Sequence, residues 1–346
     1  MTHGYDVQFE SKLERELKKR VAEGDETSEF PPTGLNRFDL YKRIKATLND
    51  SYFRDVGSGL TADSSGGAFT RHDLGHVDDV IRRAGELLGA NSDADTPAIS
   101  QLRSFEVFVL LVACLIHDAG NLDGRRQHEQ RARKALRESA PELSEKECSL
   151  ISQIARAHGG TARNGSKDTI GELPIEDGVE SAKVYPQKLA GVLRYADELA
   201  ENSRRANSRE FDTSYFPNRF CQCISVNVDY DSRRVSLEFT VSDSDCDHYA
   251  PDETGEQMYF VDYIIKRVKK TELERRYCDR FIRGFASFLE TRVNIEFLKD
   301  HEDFHREHFE LKESGYPQLD DEVTLGNESF SGETVAEKYR EFKGGS

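Results

Sequence analysis

Apolar residues recur at helical spacing through the first two thirds of the chain. Val77, Val80, Ile81, Ala84, Leu87 and Leu88 make one stripe. Thr70 and Asp73 stand before it with the spacing of a capping box, Asp replacing Glu. A second helix runs from about Ser104 through the unbroken apolar run Val107 to Ile116 and stops near Gly120. That run is about half of the ~20 residues that span a bilayer, so it predicts a buried helix and no membrane partner. Leu150, Ile151, Ile154 and His158 predict a helix over 144–158, ended by Gly159-Gly160. Leu189, Val192, Leu193 and Ala196 predict another over 186–206. Charged helices are expected over Glu10 to Val21, 38–49 and 127–138. Between them, 161–183 is Gly-rich and acidic, a candidate lid.

After residue 210 the period changes. Ile224, Val226, Val228 and Tyr230 alternate with polar residues, as do Val235, Leu237, Phe239 and Val241, with Asp231 to Arg233 between them. This is a β-hairpin signature. An acidic loop over 242–256 and a long helical region over 257–298 follow. The expected fold is mainly α, with one small antiparallel β element and C-terminal helices. Four parts are expected: a helical lead-in over 1–35, a catalytic domain over 36–210, the hairpin and long helical region over 211–300, and a charged tail over 301–346.

Charge narrows the partners. The net charge is −16, which repels phosphate backbones, so long nucleic acid is not an expected partner. A small anionic substrate remains open, because a divalent cation dominates the field around itself. Six cysteines are scattered without a CxxC pair, and no secretory signal opens the chain. Reduced thiols and a cytoplasmic location are expected.

The candidate chemistry starts at His117-Asp118. Asp118 would face the negative end of a helix dipole beside an apolar core, where an unpaired carboxylate is costly. A divalent cation would compensate it, with His117 as a second ligand; an arginine partner is the alternative. His76 lies four residues before Val80 on the inward stripe, and His72 lies one turn earlier. Asp197 follows Leu193 by four and should point inward or along the boundary, whereas Glu198 should take the outer side near Arg194. His158 ends its own stripe. Several helices thus each bring a His or Asp to an apolar face, which suggests one shared polar centre.

The order His, His-Asp, Asp, with the texts FTRHDLGHVDDVI, LLVACLIHDAGN and LAGVLRYADELAENSRR, resembles the HD-domain metal-dependent phosphohydrolase superfamily over about residues 60–210. The resemblance implies a helical core holding a divalent metal (Mn, Mg, Fe, Co, Ni or Zn) on His76, His117, Asp118 and Asp197, with His76 preferred to His72 as first ligand. It also implies that His128 and His158 serve a second metal or the substrate phosphate. Arg125, Arg126, Arg204 and Arg205 are candidates for phosphate contact. The implied reaction is attack of metal-activated water on phosphorus, with Asp118 orienting the water and His72, His128 or His158 protonating the leaving oxygen. The expected substrates are nucleotides, first (deoxy)nucleoside triphosphates. The alternatives are a nucleotide sensor signalling through the part after residue 210, a cyclic-nucleotide phosphodiesterase, or a single-strand nuclease. A homo-oligomer is an open expectation. No GxxxxGK[ST] loop or GxSxG elbow occurs.

Overall fold

The computed structural model describes residues 10–23, 30–53, 74–119, 128–206, 215–252, 254–300, 302–317 and 321–344. The chain's most apolar segment becomes its central helix. Helix α4 (Ser104–Ile116) is buried along its whole length. Around it pack α1 (Lys12–Ala22), α2 (Arg37–Leu48), α3 (Leu74–Leu87), α5 (His128–Ser139), α6 (Glu145–Arg156) and α7 (Pro186–Glu198). The amphipathic helices turn their apolar stripes onto it: Leu13 and Leu17 from α1, Val77, Val80 and Ile81 from α3, Leu150, Ile151 and Ile154 from α6.

Local chemistry sets the helix starts. Ser11 and Glu14 form a reciprocal capping box on α1, and Ser144 and Glu147 form one on α6. Asn36 caps α2, and Pro186 opens α7. Glu106, in the first turn of α4, accepts from Arg103 N at 2.9 Å and Tyr185 N at 3.0 Å, which ties the starts of α4 and α7 together. The capping box expected at Thr70 lies outside the described residues.

The sequence-based expectation of one helix over 186–206 is corrected. Helix α7 stops at Glu198, and a 3-10 turn, Ser203–Arg205, follows under an Asn202 cap. The segment 161–183 is not an open loop. It carries a small hairpin, β1 (Asp177–Val179) with β2 (Ala182–Val184), and buries Ile170, Leu173 and Val179.

The C-terminal part corrects the expected fold class to a mixed α/β one. Helix α8 (Tyr215–Cys223) leads into the expected hairpin, β3 (Ile224–Asp229) and β4 (Arg234–Val241), in the register Val226↔Leu237. Arg233 closes its turn with φ +53°. A short pair, β5 (Tyr249–Pro251) and β6 (Gln257–Tyr259), precedes helix α9 (Phe260–Ile282). Helix α9 ends well before 298: Gly284, at φ +79°, turns the chain out. What was read as its second half is strand β7 (Glu290–Lys299), which pairs parallel to β4, and β8 (Glu302–Leu311) completes the sheet in the order β3-β4-β7-β8. Val293, Ile295 and Phe297 bury one face of β7 at period two. Helix α10 (Gly332–Gly344) packs near α9, so about half of the expected charged tail is regular structure. Phe260, Tyr263, Tyr277, Phe285 and Phe288 are core residues. No described helix is long and apolar enough to cross a membrane.

Candidate metal centre

Three helices aim four ligand-type side chains at one point. His76 lies on the inner stripe of α3. His117 and Asp118 follow directly from α4, and Asp197 is in the last turn of α7. Arg83 ties α3 to the end of α7 and to β3. From α3 its Nε donates to Leu199 O at the end of α7 (3.0 Å) and its Nη2 to Val226 O in β3 (2.7 Å).

The donor atoms lie close together. His76 Nε2 is 3.2 Å from Asp197 Oδ1 and 3.6 Å from Asp118 Oδ2. His117 Nε2 is 3.4 Å from Asp118 Oδ2 and 3.6 Å from Asp197 Oδ1. Ligand atoms of His76, His117 and Asp118 all fall within 4.8 Å of one another. Both imidazoles are fully buried, Asp118 is 8% exposed and Asp197 26%, so the centre opens on the Asp197 side.

The tautomer of His117 is decided by its neighbour. Its Nδ1 lies 2.8 Å from Cys114 O, one turn back along α4. A carbonyl only accepts, so Nδ1 carries a proton that it donates, and in the neutral ring Nε2 keeps its lone pair. That Nε2 is buried and makes no hydrogen bond among the described residues. A lone pair facing two carboxylate oxygens is repulsive unless a cation stands between them. Without an ion a proton takes that role. Burial opposes charging His117, but Asp118 and then Asp197 overcome it and hold its pKa well above the ordinary histidine value. Burial likewise opposes charge on Asp197, yet His117 and His76 hold its carboxyl well below the usual range.

These residues fit a divalent ion. A metal–donor bond of ~2.1 Å places neighbouring donors about 3.0–3.4 Å apart in octahedral or tetrahedral arrangement, close to the spacings here. Two imidazoles and two carboxylates suit the borderline and harder divalent ions. The Cys114 carbonyl is the outer partner such a histidine ligand ordinarily has.

His158 joins the centre from the turn after α6. Its ring packs edge-on to His117 with centroids 5.0 Å apart, and its Nε2 lies 3.7 Å from Asp118 Oδ1. Its Nδ1 lies 2.6 Å from Ala155 O, so again Nε2 is left with a lone pair. Burial and the neighbouring His117 push its pKa down.

Other expected site residues are placed differently. His72, Arg125 and Arg126 lie outside the described residues. His128 opens α5, and its side chain is likewise outside them. Arg204 is bound to Asp79 on α3, which also takes Asn202 Nδ2 at 2.7 Å. Glu198 does not lie out beside Arg194. It turns to α9, accepting from Lys270 Nζ and Thr271 Oγ1 at 2.7 Å each, while Arg194 pairs with Glu274.

One layer was not foreseen. Glu201, four residues after Asp197, is bound by Arg205 Nη1 (3.0 Å), Arg267 Nη2 (3.1 Å) and the Cys221 thiol (3.0 Å). Burial works against its charge, but Arg205 and Arg267 lower its carboxyl to about 2. Glu201 lies beyond the end of α7, so helical spacing from Asp197 does not place it. Nothing local announces Arg267, which arrives from α9. Arg205 is 7% exposed, and its charge lies within reach of Asp197 and Asp118.

No curated protein matches the chain. The model of the HD-CE family matches residues 67–258, a span that holds the whole His-His-Asp-Asp set and more than half of the sequence. On that match, the chain belongs to the HD-CE family.

Proposed function

We propose that this chain is a metal-dependent phosphohydrolase acting on nucleotides, with (deoxy)nucleoside triphosphates as the first class of substrate. The observation that carries the reading is the convergence of two imidazole Nε2 atoms and two carboxylates from three helices, at ligand spacing, in a buried site open on one side. The metal ligands are His76, His117, Asp118 and Asp197. When bound, a divalent ion supplies Lewis acidity toward water and toward a phosphoryl oxygen.

The chain's own groups do the rest. Asp118 presents Oδ2 to both imidazoles and Oδ1 toward His158, so it bridges the ligand set and a histidine outside it. His158 rests neutral, with Nε2 unprotonated, and accepts a proton from the attacking water. The same Nε2–H then faces the leaving oxygen and returns the proton. This gives His158 a base role before its acid role, a change from the sequence-based expectation of an acid on the leaving oxygen or a contact to a second metal or the substrate phosphate. Asp197, the most exposed ligand, marks the side from which the phosphate enters. Arg205 adds positive charge behind that entrance.

The test is direct. The purified protein is incubated with Mn²⁺, Mg²⁺, Co²⁺ or Ni²⁺ and a pool of NTPs, dNTPs and cyclic nucleotides, and products are resolved by chromatography beside His117→Ala and Asp118→Ala. Turnover of one nucleotide class, lost in both variants and with chelator, is the expected result. Absence of turnover in every metal, with nucleotide binding retained, would replace the enzyme reading by a sensor.

A further inference from the structure

A second cleft lies at the opposite end of α7 from Asp197. Its volume is about 290 Å³, and its lining includes Gly171, Ile175, Tyr185, Lys188, Arg280 and Phe281. Lys188 and Asp197 are on one helix, so at 1.5 Å per residue the cleft is well over a nanometre from the metal centre.

The cleft combines apolar walls with cations held over rings. Ile175 is 73% exposed, the most exposed of the large apolar side chains among the described residues. The Lys188 ammonium stands 4.7 Å from the Tyr185 ring centroid and 5.3 Å from that of Phe285. Arg280 stands 5.1 Å from Phe281 and 4.5 Å from Tyr316. Lys188 makes no ion pair among the described residues, in a chain with a net charge of −16. Arg280 pairs with Asp168 Oδ2 at 3.1 Å, but that carboxylate also takes Gly171 N at 3.0 Å and Tyr277 Oη at 3.2 Å. Its charge is therefore shared, and the guanidinium keeps donors for an anion. The space suits one small molecule rather than a protein segment. A flat ring would cover Ile175 and Phe281, and a phosphate would meet Lys188 and Arg280.

We infer that this cleft is a second ligand site, taking an aromatic phosphate ester of nucleoside monophosphate size. The inference is independent of the reaction at the metal centre. The site also has a route to that centre. Asp168 precedes Thr169, whose hydroxyl donates to Ala157 O at 2.8 Å, next to His158, and receives Arg194 Nη1 at 3.1 Å.

The test is equilibrium dialysis of the full chain in EDTA, with AMP and GMP as probes and adenosine and inorganic phosphate as controls. Saturable binding of at least one nucleotide is expected, retained in Asp118→Ala and weakened about tenfold or more in Lys188→Glu. Lys188→Met replaces Lys188→Glu if the latter melts early. Four results would overturn the inference: no saturable binding at millimolar AMP or GMP; binding unchanged in the Lys188 variant; binding lost in Asp118→Ala; or phosphate or adenosine alone binding as tightly as the nucleotide.

Discussion

Removal of the divalent ion should destabilise the protein by an amount that rises with pH. In the ion-free centre, Asp118 and Asp197 overcome the effect of burial and hold the His117 pKa well above the ordinary value. At neutral pH a proton therefore sits where an ion must bind, and binding displaces it. Below the raised pKa, one proton per ion makes the apparent Kd rise about tenfold per pH unit lost. At fixed ion concentration this removes about 1.4 kcal/mol of ion-linked stability per unit. The proton's own contribution has the same sign. It stabilises the ion-free fold fully below the unfolded histidine value of about 6.5 and is lost as pH rises through the raised folded value. An ion at a hundred times its Kd contributes about 2.7 kcal/mol, so the effect of one pH unit is half of that. For a chain of 346 residues the gap in melting temperature between Mn²⁺ and EDTA should widen by roughly 2 °C per pH unit. Thermal melts at pH 6.5, 7.5 and 8.5 measure it, and calorimetry in two buffers counts the released proton. A gap that is flat with pH, or that persists in His117→Ala, would refute the assignment of His117 as the ligand that trades its proton for the ion.

Three further outcomes follow from particular contacts. His158→Ala should lower kcat by about 10²–10⁴ while the ion-dependent rise in melting temperature is kept, because His158 lies outside the four-ligand set; loss of both would make it a ligand. Arg37 and Glu147 form a buried pair at 2.8 Å between α2 and α6. Arg37→Met should cost about 3–5 kcal/mol in urea unfolding by stranding Glu147, and adding Glu147→Leu should recover part of it, less the ~1 kcal/mol lost with the α6 capping box; a double variant no more stable than Arg37→Met would refute the stranded charge as the main cost. Gly89 has φ +72°, and a Cβ there would sit 2.8 Å from the Tyr230 ring. Gly89→Ala should destabilise by about 1–3 kcal/mol, and an unchanged urea midpoint would mean that Tyr230 swings away freely.

Much of the helical core was legible because its signal is local. The apolar run 107–116 specifies a helix buried on all sides, and the stripes on α3, α6 and α7 specify which faces meet it. The same stripes placed His76 and Asp197 on inward faces, so the candidate ligand set is legible in the sequence. The hairpin was legible for the same reason: its pairing is between neighbours in sequence. What failed was non-local. Strand β7 alternates Val293, Ile295 and Phe297, yet the aromatic helical text before it led to a reading of one continuous helix. Its partner, β4, lies on the far side of α9 in the chain, and parallel pairing leaves no mark on the strand itself.

The sequence by itself determined which ligand-type residues the helices carry, on which helical faces they lie, and where the core is. Each of these follows from side-chain chemistry and a period of 3.6 or 2 residues. The tertiary structure decided the rest. It brought Asp197 to within 3.6 Å of both imidazoles, turned Glu198 away to α9, and set Arg267 against Glu201. The physical reason is that a donor–donor distance of a few ångström depends on how whole helices pack. Residues separated by tens of positions in the chain carry no local record of that packing.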